Sequence, residues 1–105
     1  MSAIDVGALE EFVDGAAAAR RVGQRELVII RLGDDVYILD DRCSHEDFPL
    51  SLGEVNADTC EIECERHGAM FSLKDGAPTS FPATRAVPTY DVVVRNARVI
   101  VEIPA

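Results

Sequence analysis

Glu26-Leu27-Val28-Ile29-Ile30-Arg31-Leu32-Gly33-Asp34-Asp35-Val36-Tyr37-Ile38-Leu39 decides the architecture. Two runs of β-branched and aliphatic residues flank Gly33-Asp34-Asp35, a turn signal, so the stretch reads as a hairpin. Its first strand, Glu26 to Leu32, is apolar on both faces. Working outward, Tyr90-Asp91-Val92-Val93-Val94 and Val99-Ile100-Val101-Glu102-Ile103 flank Arg95-Asn96-Ala97-Arg98 and predict a second hairpin. Lys74-Asp75-Gly76 marks a further turn. Short β-rich runs at this spacing predict an all-β fold, a small antiparallel β-sandwich or barrel. Gly15-Ala16-Ala17-Ala18-Ala19-Arg20-Arg21 has high helix propensity but is short and bounded by Gly15 and Gly23. It is too brief for an isolated helix and is expected to be a strand or an irregular edge segment. Leu9-Glu10-Glu11-Phe12 is expected to form a single helical turn.

The first hairpin runs through Asp40-Asp41-Arg42 into Cys43-Ser44-His45, and after eighteen intervening residues comes Cys64-Glu65-Arg66-His67. These fragments hold both histidines of the chain and two of its three cysteines. Their spacings are short and unequal, C-x-H and C-x-x-H. Two thiolates on one iron and two imidazoles on the other is the ligand set of a mixed-ligand 2Fe–2S centre. Exchanging two thiolates for neutral imidazoles reduces the negative charge that an incoming electron meets, which raises the potential relative to all-cysteine clusters. Zinc is the competing metal, but its half-sites run C-x₂₋₄-C and H-x₃₋₅-H rather than mixed pairs. A cysteine nucleophile with a histidine base would leave the second pair unexplained.

Thr59-Cys60-Glu61-Ile62-Glu63-Cys64 alternates strictly, so one strand is expected to carry Cys60, Ile62 and Cys64 on its inner face and deliver Cys64 to the loop. In that strand Cys60 would lie about 13 Å from Cys64, beyond disulfide reach, and it reads as a small core residue. Gly68 suits a positive φ and a close backbone approach, although an ordinary loop glycine explains it equally well. Gly53 is a candidate for closing the first loop. Phe81-Pro82-Ala83 and Val87-Pro88 form a proline-bearing segment that either shields the cluster or simply connects strands.

At 105 residues the chain is expected to be one domain with a modest core. Lys and Arg number 10 against 19 Asp and Glu, a net charge of −9, which disfavours nucleic acid and anionic lipid as partners. No apolar run approaches the roughly 20 residues of a membrane span, and the N-terminus lacks the pattern of a secretory signal. Three cysteines in such a chain point to metal or redox chemistry before a disulfide framework, in a cytoplasmic setting.

The segments Leu39-Asp40-Asp41-Arg42-Cys43-Ser44-His45-Glu46-Asp47, Leu50-Ser51-x-Gly53, Ile62-Glu63-Cys64-x-x-His67-Gly68-Ala69-x-Phe71, Gly76-x-Pro78 and Pro82-Ala83 together resemble bacterial soluble Rieske ferredoxins. Such proteins serve ring-hydroxylating dioxygenase systems, and the C-S-H-E-D loop is similar to a ferredoxin found with actinobacterial iron–sulfur assembly genes. The resemblance implies a β-sandwich base over residues 1–105, with a cluster-binding subdomain at about 41–83. It implies one 2Fe–2S cluster per chain, with Cys43 and Cys64 on the buried iron and His45 and His67 on the exposed one. Respiratory Rieske proteins carry an extra cysteine in each loop, joined as a disulfide. Here those loop interiors hold Glu46, Asp47, Glu65 and Arg66. Ala69 and Phe71 stand where those proteins place hydroxyls, which implies a potential toward the low end of the class.

The function expected is that of a one-electron carrier, not an enzyme, monomeric, working between a flavin reductase and a terminal oxygenase or another redox enzyme. An accessory role with iron–sulfur assembly proteins is the alternative. A module that has lost its cluster is disfavoured because all four ligand residues are present. Direct oxygenase catalysis lacks a mononuclear-iron domain.

Overall fold

The computed structural model describes residues 2–43, 48–66, 68–79 and 85–104. His45, His67, Glu46, Asp47 and the segment Phe81-Pro82-Ala83 therefore lie outside the described residues. The described residues form ten strands and two short 3-10 turns.

The expected hairpin is β3 (Arg25–Leu32) and β4 (Asp35–Asp40), paired antiparallel with Ile29 opposite Ile38. It is the centre of a four-stranded sheet ordered β2-β3-β4-β8, with β2 (Ala17–Val22) and β8 (Thr89–Tyr90) outside. The alanine-rich segment is thus an edge strand. Backbone pairing with β3, from Ala17 opposite Ile30 to Val22 opposite Arg25, overrides its helix propensity.

The two-sided apolarity of β3 has a direct cause. Val28 and Ile30 face one core with Leu39, Leu50, Ile62, Phe71 and Val87. Leu27 and Ile29 face a second core with Phe12, Ile38, Val99 and Val101. All four β3 side chains are fully buried, so this sheet is a wall shared by two cores. A three-stranded sheet, β1 (Ser2–Ala8), β10 (Arg98–Ile103) and β9 (Val92–Arg95), supplies Val99 and Val101 to the second core. A third sheet, β5 (Val55–Asn56), β6 (Glu61–Glu63) and β7 (Met70–Ser72), supplies Ile62 and Phe71 to the first. Leu9–Glu11 is a 3-10 turn, as expected for a single helical turn, and Leu50–Leu52 is another. Among the described residues no helix is long and apolar enough to cross a membrane.

Two expectations require correction. The run Thr59 to Cys64 is not one strand: β6 begins at Glu61, and Cys60 sits in the preceding turn with φ of 56°. The Cys60 carbonyl accepts the Leu73 N–H at 2.9 Å, which holds that reversed conformation. Tyr90 to Val94 is likewise split at Asp91, where the chain changes sheets: Tyr90 pairs with Ile38 of β4, whereas Val92 pairs with Val101 of β10.

The β9–β10 hairpin turns on Asn96 and Ala97, at φ of 52° and 60°, the two left-handed positions of a tight hairpin. Asparagine tolerates that conformation, but alanine does so at a cost of about 1–2 kcal/mol, against about 0.5–1 kcal/mol of extra chain entropy for glycine. Ala97→Gly is therefore expected to stabilise the protein by about 0.5–1 kcal/mol, read as a higher urea midpoint at unchanged m-value.

Candidate metal centre

The first loop starts where β4 leaves its sheet, and successive backbone groups hold that exit. Asp40 N–H donates to Pro88 O and Asp41 N–H to Glu26 O, both at 2.9 Å. Tyr90 OH donates to the Asp40 carboxylate. Burial, then this bond to Asp40, pushes the Tyr90 phenol above its usual range, although the adjoining Arg25 guanidinium opposes the shift. Cys43 N–H then donates to Phe48 O at 2.9 Å, which joins the two ends of the first loop.

The second loop repeats this frame. β6 ends at Glu63, and Cys64 N–H donates to Ala69 O at 2.7 Å. In both loops a cysteine N–H thus reaches the carbonyl five residues on. Gly68 N–H returns to Cys64 O at 2.8 Å, a turn made with Gly68 at φ of 71°. The two frames touch: the Arg66 guanidinium lies 5.9 Å from the centroid of the Phe48 ring.

Cys43 and Cys64 are 2% and 0% exposed and belong to the same core, packed with Leu50, Ile62, Ala69 and Phe71. None of the three cysteines is in a disulfide. Two buried cysteines facing one core, each at the mouth of a matched loop, fit the thiolate half of a mixed-ligand 2Fe–2S site. Ala69 and Phe71, expected to offer the site no hydroxyl, are fully buried. Cys60 stands apart from this pair. It is half-buried against the same core, as is Tyr37. Interaction with Cys60, then burial, pushes the Tyr37 phenol up.

Residues 2–91 match the family described as Rieske [2Fe-2S] domain. The chain belongs to the Rieske family. Its cofactor is a Rieske-type 2Fe–2S cluster, and it is a ferredoxin of that kind. The anthranilate 1,2-dioxygenase ferredoxin subunit of Burkholderia cepacia is 35% identical over 93% of this chain and 89% of its own length. The 3-phenylpropionate/cinnamic acid dioxygenase ferredoxin subunit of Photorhabdus laumondii is 33% identical over 98% and 96%. Among solved structures, the ferredoxin of carbazole 1,9a-dioxygenase from Nocardioides aromaticivorans IC177 superposes with a TM-score of 0.93. It shares 35% identity over 96% of this chain and 97% of that one. The ferredoxin in a complex of reduced oxygenase and oxidized ferredoxin of carbazole 1,9a-dioxygenase gives a TM-score of 0.86 and 32% identity, over 94% and 91%.

Cysteine and histidine spacing alone did not single out the residues that brace this Rieske centre. Ser51, at the first 3-10 position after Leu50, donates its N–H to Asp41 Oδ1 at 2.6 Å and its hydroxyl to Asp41 Oδ2 at 2.7 Å. The one available signal was a carboxylate preceding the first cysteine, which a solvated loop would also show.

Gly68 gives a direct test of the second frame. A Cβ there would meet nothing within 4 Å, so any cost of Gly68→Ala is the positive φ alone. A loss of about 0.5–1 kcal/mol in chemical denaturation is expected once the chain entropy saved by alanine is counted, with Gly68→Asn costing less because asparagine tolerates that region. An alanine variant as stable as the parent would show that the loop does not require this conformation.

Proposed function

We propose that this Rieske ferredoxin carries single electrons from a flavin reductase to a terminal oxygenase, and that Cys43, His45, Cys64 and His67 are the cluster ligands. The convergence of buried Cys43 and Cys64 on one core from two loops of identical closure carries the ligand assignment. His45 and His67 follow within those loops by two and three residues. The cluster, when bound, supplies a reversible one-electron couple at a potential set by its mixed ligands.

The chain's own residues do the rest. The two cysteines present thiolates from inside the apolar core, where water is excluded. In sequence the histidines are neighboured by Glu46, Asp47 and Glu65, an acidic setting that favours a partner with a basic patch. Residues of about 41–83 act as the cluster-binding subdomain on the sheet formed by β2, β3, β4 and β8. The protein works as a monomeric carrier without catalysis of its own. Three cysteines in so short a chain accord with metal chemistry in a reducing, cytoplasmic setting. Partner assignment is supported by the dioxygenase ferredoxins above, one of them seen in complex with its oxygenase.

Anaerobic purification with iron and sulfide counts, followed by EPR of the dithionite-reduced protein, tests the site. Two irons and two sulfides per chain are expected, and Cys43→Ser or Cys64→Ser should abolish both. His67→Cys, where the cluster assembles, should move the potential from about −150 mV toward the roughly −400 mV of all-cysteine clusters. An unchanged spectrum and potential would remove His67 from the ligand set. A midpoint above about +100 mV in the parent would reject the argument from the missing hydroxyls.

The partner side has its own test. With a net charge of −9, attraction to a basic patch should fade as the screening length falls from about 10 Å at 0.1 M salt to about 3 Å at 1 M. The rate of reduction by the flavin reductase should fall accordingly. A rate independent of salt would show that charge does not steer the encounter.

A further inference from the structure

We propose that Asp41, Ser51 and Gly53 form a strap that fixes the separation of the two cysteine loops, which makes them positioning residues for the buried ligands. The inference rests on the assignment of Cys43 and Cys64 as those ligands.

The strap is continuous from one loop to the other. It begins at Asp41, two residues before Cys43, whose backbone is pinned to β3 through Glu26 O. The Asp41 carboxylate holds Ser51 with both oxygens, one on the N–H at 2.6 Å and one on the hydroxyl at 2.7 Å. Bonds of that length to a carboxylate are charge-assisted and stronger than neutral ones. Ser51 lies in the 3-10 turn Leu50–Leu52, anchored by the fully buried Leu50 and ended by Gly53 N–H donating to Leu50 O at 2.9 Å.

Gly53 then meets the second loop. A Cβ built there would fall 1.6 Å from Glu63 O and 3.2 Å from Leu50 O, so no side chain fits between these backbones. Glu63 immediately precedes Cys64, and its own N–H donates to Glu54 O at 2.9 Å. Every contact along the path involves backbone or a short, doubly bonded side chain. A change at Asp41 or Gly53 is therefore transmitted to the spacing of Cys43 and Cys64 rather than absorbed by a flexible group.

Asp41→Asn separates geometry from charge. An asparagine amide can accept the Ser51 N–H and donate to the Ser51 hydroxyl, preserving both bonds while removing the charge. Asp41→Ala removes both bonds and the charge. The parent, Asp41→Ala, Asp41→Asn, Ser51→Ala and Gly53→Ala would be compared as cluster-loaded proteins. The readouts are EPR g-values of the reduced state, midpoint potential, and the rate at which a ferrous chelator bleaches the visible bands. Asp41→Ala should change the g-values and lose its cluster about tenfold faster, the scale of a lost charge-assisted hydrogen bond. Asp41→Asn should keep the parent g-values and bleach within about twofold of the parent. Gly53→Ala should change the g-values as Asp41→Ala does, or accumulate without a cluster.

Asp41→Ala matching the parent in both g-values and bleaching would overturn the strap. Equal potential shifts in Asp41→Ala and Asp41→Asn with unaltered g-values would also overturn it, because Asp41 would then act only as a charge. Should Asp41→Ala fail to fold, Ser51→Ala decides in the same way, with about threefold faster bleaching expected for one neutral donor lost. The ligand assignment fails separately: a parent protein without iron and sulfide, or a Cys64→Ser protein that keeps them, would bring it down whatever Asp41 does.

Discussion

The burial of β3 on both faces is the constraint on which the rest of the molecule depends. Leu27, Val28, Ile29 and Ile30 are consecutive and none is exposed, so the sheet they centre must be covered on each side. Full burial of such a side chain is worth about 1.5–3 kcal/mol, and alternate residues deliver that gain to opposite cores. A one-residue slip of β3 against β4 would exchange the two sets and place each against the wrong partners. The sheet of β1, β10 and β9 closes one side as a foundation. The sheet of β5, β6 and β7 closes the other and presents Cys64 at the end of its central strand, β6.

The cysteine loops share a frame but differ in where the sequence places histidine. Each closes from a cysteine N–H to the carbonyl five residues later, yet histidine stands two residues after Cys43 and three after Cys64. The asymmetry of the motif is therefore a difference of place within equal loops rather than of loop length. Arg66 lies over Phe48, the residue whose carbonyl closes the first loop, so the second loop leans on the frame of the first. Arginine in that place adds positive charge beside both loops as well as packing, which places it in the electrostatic surroundings of any group they hold.

Much of this was legible from periodicity and composition. The β3–β4 hairpin, the β9–β10 turn and the edge character of Ala17 to Val22 follow from alternation, turn residues and length. The strand Ser2–Ala8 did not show itself, because all its pairing residues but Ile4 are small or polar and its partner β10 lies at the other end of the chain. Cys60 was misplaced for a related reason: strict alternation cannot see a residue reversed to φ of 56° by a bond to Leu73. The break at Asp91 is equally silent in sequence, since Tyr90 and Val92 are both good strand residues that serve different sheets. Within the centre, the cysteine and histidine types announced themselves, whereas the Asp41–Ser51 pair depends on a meeting ten positions apart that no local pattern encodes.

The surroundings of the two buried cysteines also explain how this fold holds them in place. Among the described residues no polar or charged side chain is buried, so the first core offers Cys43 and Cys64 no buried cationic side chain. Cysteine suits such a core as a small, soft side chain, and both residues pack there with Leu50, Ile62, Ala69 and Phe71. Each backbone is at the same time tied by its N–H to the carbonyl five residues later. Side chain and main chain are thus held by different forces, apolar packing on the one hand and hydrogen bonding on the other. A larger side chain at either position would overpack the core even where the backbone bonds survive.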